Sequence, residues 1–142
     1  MEIFIEKIIN PEKFKESILI SKIVAGDEVY RKGVEIYKKQ IKNGKKIKAI
    51  VVIKHPKKDL YAVLDGHHRF YALRETGIKK INCAVIKSPW EVVFNRTEHG
   101  LFQPSPAITK YIRAPYKKLT IFLNDFIKDS EGLIKKEVKF LS

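Results

Sequence analysis

The spacing of hydrophobic and polar residues changes several times along the 142-residue chain. The opening EIFIEKII (residues 2–9) alternates well enough to predict a short strand. Asn10-Pro11 offers a cap and a first-turn proline for a short helix to about Ser17. ILISKIVAG (18–26) reads as a second extended segment ending at Gly26. Between Tyr30 and Ile41 the apolar residues Tyr30, Val34, Tyr37 and Ile41 share one helical face, and Asn43-Gly44 ends that helix. IKAIVVI (47–53) is a continuous β-branched run, as in a strand covered on both faces. HPKKD is a turn, and LYAVL (60–64) is another buried strand that runs into Asp65-Gly66. A helix follows from about His67 to Thr76, with Gly77 just past its end, and INCAVI (81–86) is the next buried strand. Beyond it the pattern is helical. Ser105-Pro106 starts a helix to about Arg113, and Leu119, Phe122, Leu123 and Phe126 form the stripe of another. The tail LIKKEVKFL fits strand or helix.

These elements predict an α+β fold: a small, mostly buried mixed sheet with flanking helices and a helical C-terminal part. No repeat or Gly/Ser/Pro-rich linker divides residues 1–142, which read as one domain. A chain of this length buries a core without staples. The single cysteine, Cys83, lies in a buried strand and reads as a small core residue. It allows neither an intrachain disulfide nor a four-thiolate metal site. No apolar run approaches the roughly 20 residues of a membrane span. MEIFIEKIIN carries acids where a signal peptide has a basic leader, so a cytoplasmic location and no membrane partner are expected.

Charge adds a bias toward anions. The net charge is +13, distributed as −2 over residues 1–30, +10 over 31–58 and +5 over 59–142. Such a field attracts nucleic acid, nucleotides or anionic surfaces. Yet 24 of the 29 basic residues are lysine, a hydrated point charge, and only five are arginine, the bidentate phosphate reader. Abundant lysine with two Gln, one Met and one Cys also matches the usage of thermophile surfaces.

Chemistry concentrates at Asp65-Gly66-His67-His68-Arg69, where a buried strand becomes a helix. The first N–H groups of a helix have no internal partner and sit at the positive end of its dipole, which suits phosphate. Gly66 allows close approach or a positive φ. Arg69 adds a fork of donors, and His67 and His68 add donors, neutral or charged. Asp65 suits three roles: helix cap, partner of a histidine, or holder of Mg²⁺ through water. Neighbouring helix positions point about 100° apart, so the histidine pair does not form one zinc site.

A hydrophobic strand followed by Asp-Gly-His-His-Arg-Phe-Tyr-Ala-Leu resembles the signature of the ParB/sulfiredoxin superfamily, over roughly residues 18–87, leaving 88–142 as a C-terminal extension. Sulfiredoxins place a nucleophilic cysteine where His67 stands, which argues against sulfinic acid reduction here. Chromosome-partitioning ParB proteins, which bind CTP, have Gly-Glu-Arg-Arg at Gly66 to Arg69. The archaeal free serine kinases use an Asp-Gly-His-Thr-Arg type of signature. Asp65, Gly66, His67 and Arg69 match it, and His68 departs at the Thr position. The resemblance implies ATP or ADP phosphates, with Mg²⁺, on Gly66, His67, His68 and Arg69. It also implies an upstream acidic general base, for which Glu28 is preferred over Asp27. An acidic pair introducing the next helix explains both residues equally well.

The leading expectation is a nucleotide-binding domain with phosphotransfer or hydrolytic activity: a small-molecule kinase or a nucleotide triphosphatase. Glu28, Asp65 and His67 would be its catalytic groups. The alternative is a DNA- or RNA-binding module, with or without nuclease activity, using Lys45, Lys46, Lys48, Lys54, Lys57 and Lys58. A third is a regulatory domain that keeps the fold without catalysis. His55 is expected to be solvated in its turn, Glu98-His99 to be loop residues, Trp90 with Phe94 to pack the C-terminal part, and Tyr111 to be core.

Overall fold

The β-branched run becomes the middle strand of a five-stranded sheet in the computed structural model, which describes residues 3–26, 28–87, 94–96, 102–112, 116–137 and 139–141. The chain begins with helix α1 (Ile3–Ile9), a 3-10 turn (Pro11–Phe14) and strand β1 (Lys15–Leu19). A second 3-10 turn (Ile20–Lys22) leads to β2 (Ile23–Val24), β3 (Glu28–Tyr30) and α2 (Arg31–Lys42). Then come β4 (Ile50–Lys54), β5 (Tyr61–Asp65), α3 (His67–Glu75) and β6 (Lys80–Ile86). The remainder comprises β7 (Phe94–Arg96), β8 (Phe102–Pro104), α4 (Pro106–Thr109), α5 (Tyr116–Lys135) and β9 (Lys139–Leu141).

The strand order is β1-β6-β4-β5-β2, with β4 parallel to β6 and antiparallel to β5. Side chains alternate across β4. Ile50 and Val52 join a core with Val34 of α2 and Phe70 of α3, whereas Val51 and Ile53 join one with Ile8 of α1 and Leu123 and Phe126 of α5. Both faces are covered, which is why Ile50 to Ile53 are all apolar, while the exposed Lys48 precedes the strand. The edge strands β1 and β2 are joined by only three residues. Leu19 to Ile23 spans at most about 14 Å, less than the about 19 Å across five flat strands, so the sheet is curled.

Several expectations are corrected. EIFIEKII is helical: Phe4, Ile5 and Ile8 bury one helical face, and this packing overrides the short alternation. The helix expected to reach Ser17 is a 3-10 turn ending at Phe14, followed by strand. The single extended segment at 18–26 is divided by the turn at Ile20–Lys22. The C-terminal part is not wholly helical. β7 and β8 form an antiparallel pair, and β9 pairs in parallel with β3. The last long helix is interrupted at Asp129 (φ −148°, ψ 65°), whose Oδ1 accepts the Gly132 N–H at 3.1 Å and restarts it. Tyr111 is 42% exposed, and Ile108 and Ile112 are buried in its place. Asp27, Trp90, Glu98-His99 and Arg113 lie outside the described residues, as does the side chain of Phe94.

His55 is buried rather than solvated. Its Nδ1 accepts the N–H groups of Lys57 (3.0 Å) and Lys58 (3.1 Å), and its ring packs on Phe126. Burial, then the charge of Lys58, pushes its pKa down. No helix among the described residues is long and apolar enough to cross a membrane.

Candidate functional site

The signature occupies the turn between β5 and α3. Gly66 has φ 101°, a left-handed conformation that glycine adopts without cost from a side chain. A Cβ there would also meet Ile50 Cγ2 and Arg69 Nη2, each at 2.7 Å. No side chain caps α3. The first helical bond runs from the Phe70 N–H to the Gly66 carbonyl at 2.9 Å. The N–H groups of His67, His68 and Arg69 therefore have no acceptor among the described residues. They form a row of donors at the positive end of the helix dipole.

Arg69 differs from the expectation of an open fork. Its residue is 8% exposed and its guanidinium turns inward. Nη1 donates to the carbonyls of Lys48 and Ala49, both at 3.3 Å, and Nη2 lies 3.6 Å from the Asp65 carboxylate. The side chain thus braces the junction against the chain entering β4, and its backbone N–H belongs to the donor row. Asp65 closes β5 with a side chain 37% exposed and does not cap the helix.

The two histidines diverge, as neighbouring helical positions must. His67 lies edge-on to Phe122 of α5, with ring centres 5.9 Å apart, and against Gly26, where a Cβ would stand 3.3 Å from its Nε2. Burial and then neighbouring His68 push its pKa down to about 4, so the ring is neutral. His68 turns to the other side. Its Nε2 accepts the Tyr30 N–H at 3.2 Å, and its ring lies 11° from parallel with that of Tyr30. A Cβ on Gly33 would come within 2.6 Å of the His68 ring. Burial lowers the pKa of His68 too.

Gly26 therefore stands at His67 and Tyr30 at His68, with the backbone of Glu28 on β3 two residues before Tyr30. The Tyr71 hydroxyl donates to the Gly26 carbonyl and ties this segment to α3. Gly26, Tyr30, Gly33, Phe122 and Phe140 were not singled out as site residues from sequence. The signal available was only that Gly26 and Gly33 stand near the acidic pair, and their meaning depends on what packs against them.

The basic block does not form one track. Lys45, Lys46 and Lys48 are exposed at the start of β4, beside the junction that Arg69 braces. Lys54 is the last residue of the strand, about 13 Å from its start at the usual rise, and Lys57 and Lys58 lie beyond it. Lys54 Nζ is held by the carbonyls of His55 (3.1 Å) and Lys58, and Lys58 Nζ reaches Ser130 Oγ at 3.2 Å. On α2, Arg31 and Lys38 bind Glu75 of α3 at 2.8 and 3.1 Å. Among the described residues no three His, Cys, Asp or Glu side chains converge on a metal site. Cys83 is fully buried, and burial pushes its thiol up to about 12, which leaves it inert.

Comparison with known proteins follows the same residues. The family model of the ParB N-terminal domain matches residues 18–93. Among solved structures, a free serine kinase in complex with AMP aligns at 23% identity with TM-score 0.48, covering 51% of this chain and 31% of that one. SbnI with a C-terminal truncation, from Staphylococcus aureus, aligns at 24% identity with TM-score 0.49, covering 59% and 34%. A C-terminally truncated chromosome-partitioning protein ParB from Caulobacter crescentus, complexed with CTP-gamma-S, aligns at 17% identity with TM-score 0.46, covering 53% and 45%. The aligned part is thus less than half of each of these proteins. No curated protein matches the chain.

Proposed function

The chain belongs to the ParB N-terminal domain family, and from that premise we propose that it binds a nucleotide whose phosphates sit on the first turn of α3. The observation that carries the reading is the uncapped donor row of His67, His68 and Arg69 behind a left-handed Gly66. An anion there meets three aligned N–H groups and the helix dipole, with no side-chain cap to displace among the described residues. Lys48, exposed and bonded through its carbonyl to Arg69, adds positive charge near the same junction. Arg69 acts by bracing this seat, and neutral His67 forms its floor.

The finer reading is phosphotransfer or hydrolysis of ATP or ADP. Glu28 is the proposed general base toward an attacking hydroxyl or water, a reading supported by its backbone position on β3, two residues before the Tyr30 N–H that meets His68. Mg²⁺ arriving with the nucleotide would find the half-exposed carboxylate of Asp65 next to phosphate oxygens. This fits an ion that prefers phosphate and water ligands, and Mg²⁺ would neutralise phosphate charge. The divided lysines support a nucleotide over a long polyanion, because six cations on one track are absent among the described residues.

Calorimetry with ATP, ADP, AMP and CTP tests the reading. Saturable binding of at least one nucleotide is expected, weakened tenfold or more by His68→Glu. That variant puts a negative charge where the helix tolerates it and phosphate does not. Phosphate release should fall in Glu28→Gln while affinity holds. Absence of binding by all four nucleotides, or unchanged affinity in His68→Glu, would overturn the proposed seat.

A further inference from the structure

We propose that the C-terminal strand β9, anchored by Phe140, is a positioning element that holds His68 as a neutral ring with its proton on Nδ1, facing the phosphate seat. The facing of that donor toward phosphate rests on the nucleotide reading above. The tautomer itself rests on contacts within the protein.

The Tyr30 N–H points at His68 Nε2 from 3.2 Å. A ring nitrogen that accepts an N–H bears the lone pair, so the ring proton is on the other nitrogen. His68 Nδ1 has no partner among the described residues and is not among the sealed polar atoms, so it remains available to a ligand. Gly33 gives the ring its space, and the Tyr30 ring keeps it in plane. The geometry fixes which face of the imidazole is the donor.

What holds Tyr30 is the far end of the chain. β9 pairs with β3 in parallel, with Glu28 opposite Lys139, Val29 opposite Phe140 and Tyr30 opposite Leu141. Two parallel strands of three residues do not persist alone. Phe140 supplies the anchor. Its ring is edge-on to Tyr71 of α3 at 6.0 Å, and the Arg31 guanidinium of α2 lies 3.6 Å from its centre. Arg31 is in turn bonded to Glu75 of α3. The strap is thereby fixed to both helices that carry the site. The strap, at residues 139–141, lies outside the family match, which ends at residue 93.

Charged and titratable groups come from every element around His68: Glu28 on β3, Arg31 and Lys32 on α2, Asp65, His67, Arg69 and Glu75 at the junction and along α3, and Lys139 on β9. Burial lowers its affinity for a proton. Release of β9 frees the Tyr30 N–H and opens the ring to water. Both changes favour a second tautomer and easier protonation.

The test is nitrogen NMR of histidine-labelled full chain without nucleotide. In the wild type, His68 is expected to show an unprotonated Nε2 and a protonated Nδ1, with a titration midpoint below 6.5. Phe140→Ala, and separately removal of residues 139–142, should produce a tautomer mixture and move the midpoint toward about 6.5, and Phe140→Tyr should restore the wild-type pattern. Should Phe140→Ala fail to fold, a second pair decides. Tyr30→Ala keeps the donor N–H and should keep the tautomer, whereas Tyr30→Pro removes the N–H at a compatible φ of −80° and should lose it. An unchanged tautomer and midpoint after loss of the strap, or in Tyr30→Pro, overturns the proposal. Failure of wild type to bind nucleotide would instead remove the seat and leave this readout intact, so the two failures are distinct.

Discussion

Arg69→Ala separates bracing from ligand contact. The substitution removes a guanidinium whose Nη1 serves the Lys48 and Ala49 carbonyls at 3.3 Å and whose Nη2 faces Asp65 at 3.6 Å. A hydrogen bond from a charged donor contributes about 1.5–3 kcal/mol. The two bonds share one nitrogen and are long, so they count as one strong bond. Loss of the Arg69 donor at the buried Ala49 carbonyl costs up to about 1–3 kcal/mol. Because these terms overlap, the expected loss is about 2–4 kcal/mol, or roughly 5–15 °C in Tm for a domain of this size. Thermal unfolding followed by circular dichroism measures it, with Arg69→Lys as the control that keeps charge and loses the fork. The lysine variant should fall between the other two. A wild-type Tm in Arg69→Ala together with lost nucleotide affinity would refute the reasoning, because it would mean that the side chain serves the ligand and not the fold.

Other perturbations have equally defined outcomes. Gly33→Ala puts a methyl 2.6 Å from the His68 ring and should displace it, costing about 1–3 kcal/mol by overpacking; denaturant unfolding reads the cost and the His68 NMR signals read the displacement. Gly26→Ala, at 3.3 Å from His67, should be milder in the same assays. Stability should fall with acid: the folded pKa of His67 is about 4 against an ordinary 6.5, so the unfolded chain takes up the proton first. Stability is therefore complete above about 6.5 and is lost as pH falls toward about 4, with burial of His55 and His68 acting in the same sense. Urea unfolding at several pH values should show this slope, and His67→Asn should flatten it. Glu75→Gln weakens the link from α3 to Arg31 and Lys38 and should cost about 1 kcal/mol or less, since all three side chains keep contact with water, at 20–40% exposure.

Sequence patterning served best where burial is two-sided or where turn chemistry is local. IKAIVVI, LYAVL and INCAVI announce β4, β5 and β6 because strands covered on both faces are apolar at nearly every position; Lys48 precedes β4, and the exposed Asn82 lies opposite Ser17 of β1. Asp65-Gly66 marks the strand-to-helix turn because only a glycine meets both a positive φ and the contacts of Ile50 and Arg69. Short elements were less legible. EIFIEKII spans only about two helical turns, and its alternation concealed the four-residue spacing of Phe4 and Ile8. The pairing of β9 with β3 joins residues more than a hundred positions apart, and no local pattern encodes it. The site shows the same division. The residue types of the signature were visible, but the inward turn of Arg69 and the separate pockets of His67 and His68 depend on Lys48, Gly26, Tyr30 and Gly33, which the fold alone brings together.

The most direct measurement is a nucleotide titration of uniformly nitrogen-labelled protein, following the amide signals of His67, His68 and Arg69. The account predicts that ATP, ADP or CTP moves these three signals together, saturably and further than other amides, and that inorganic phosphate moves the same three at higher concentration. Nucleotide binding that leaves all three signals in place, or shifts confined to the lysines beyond the far end of β4, would contradict it.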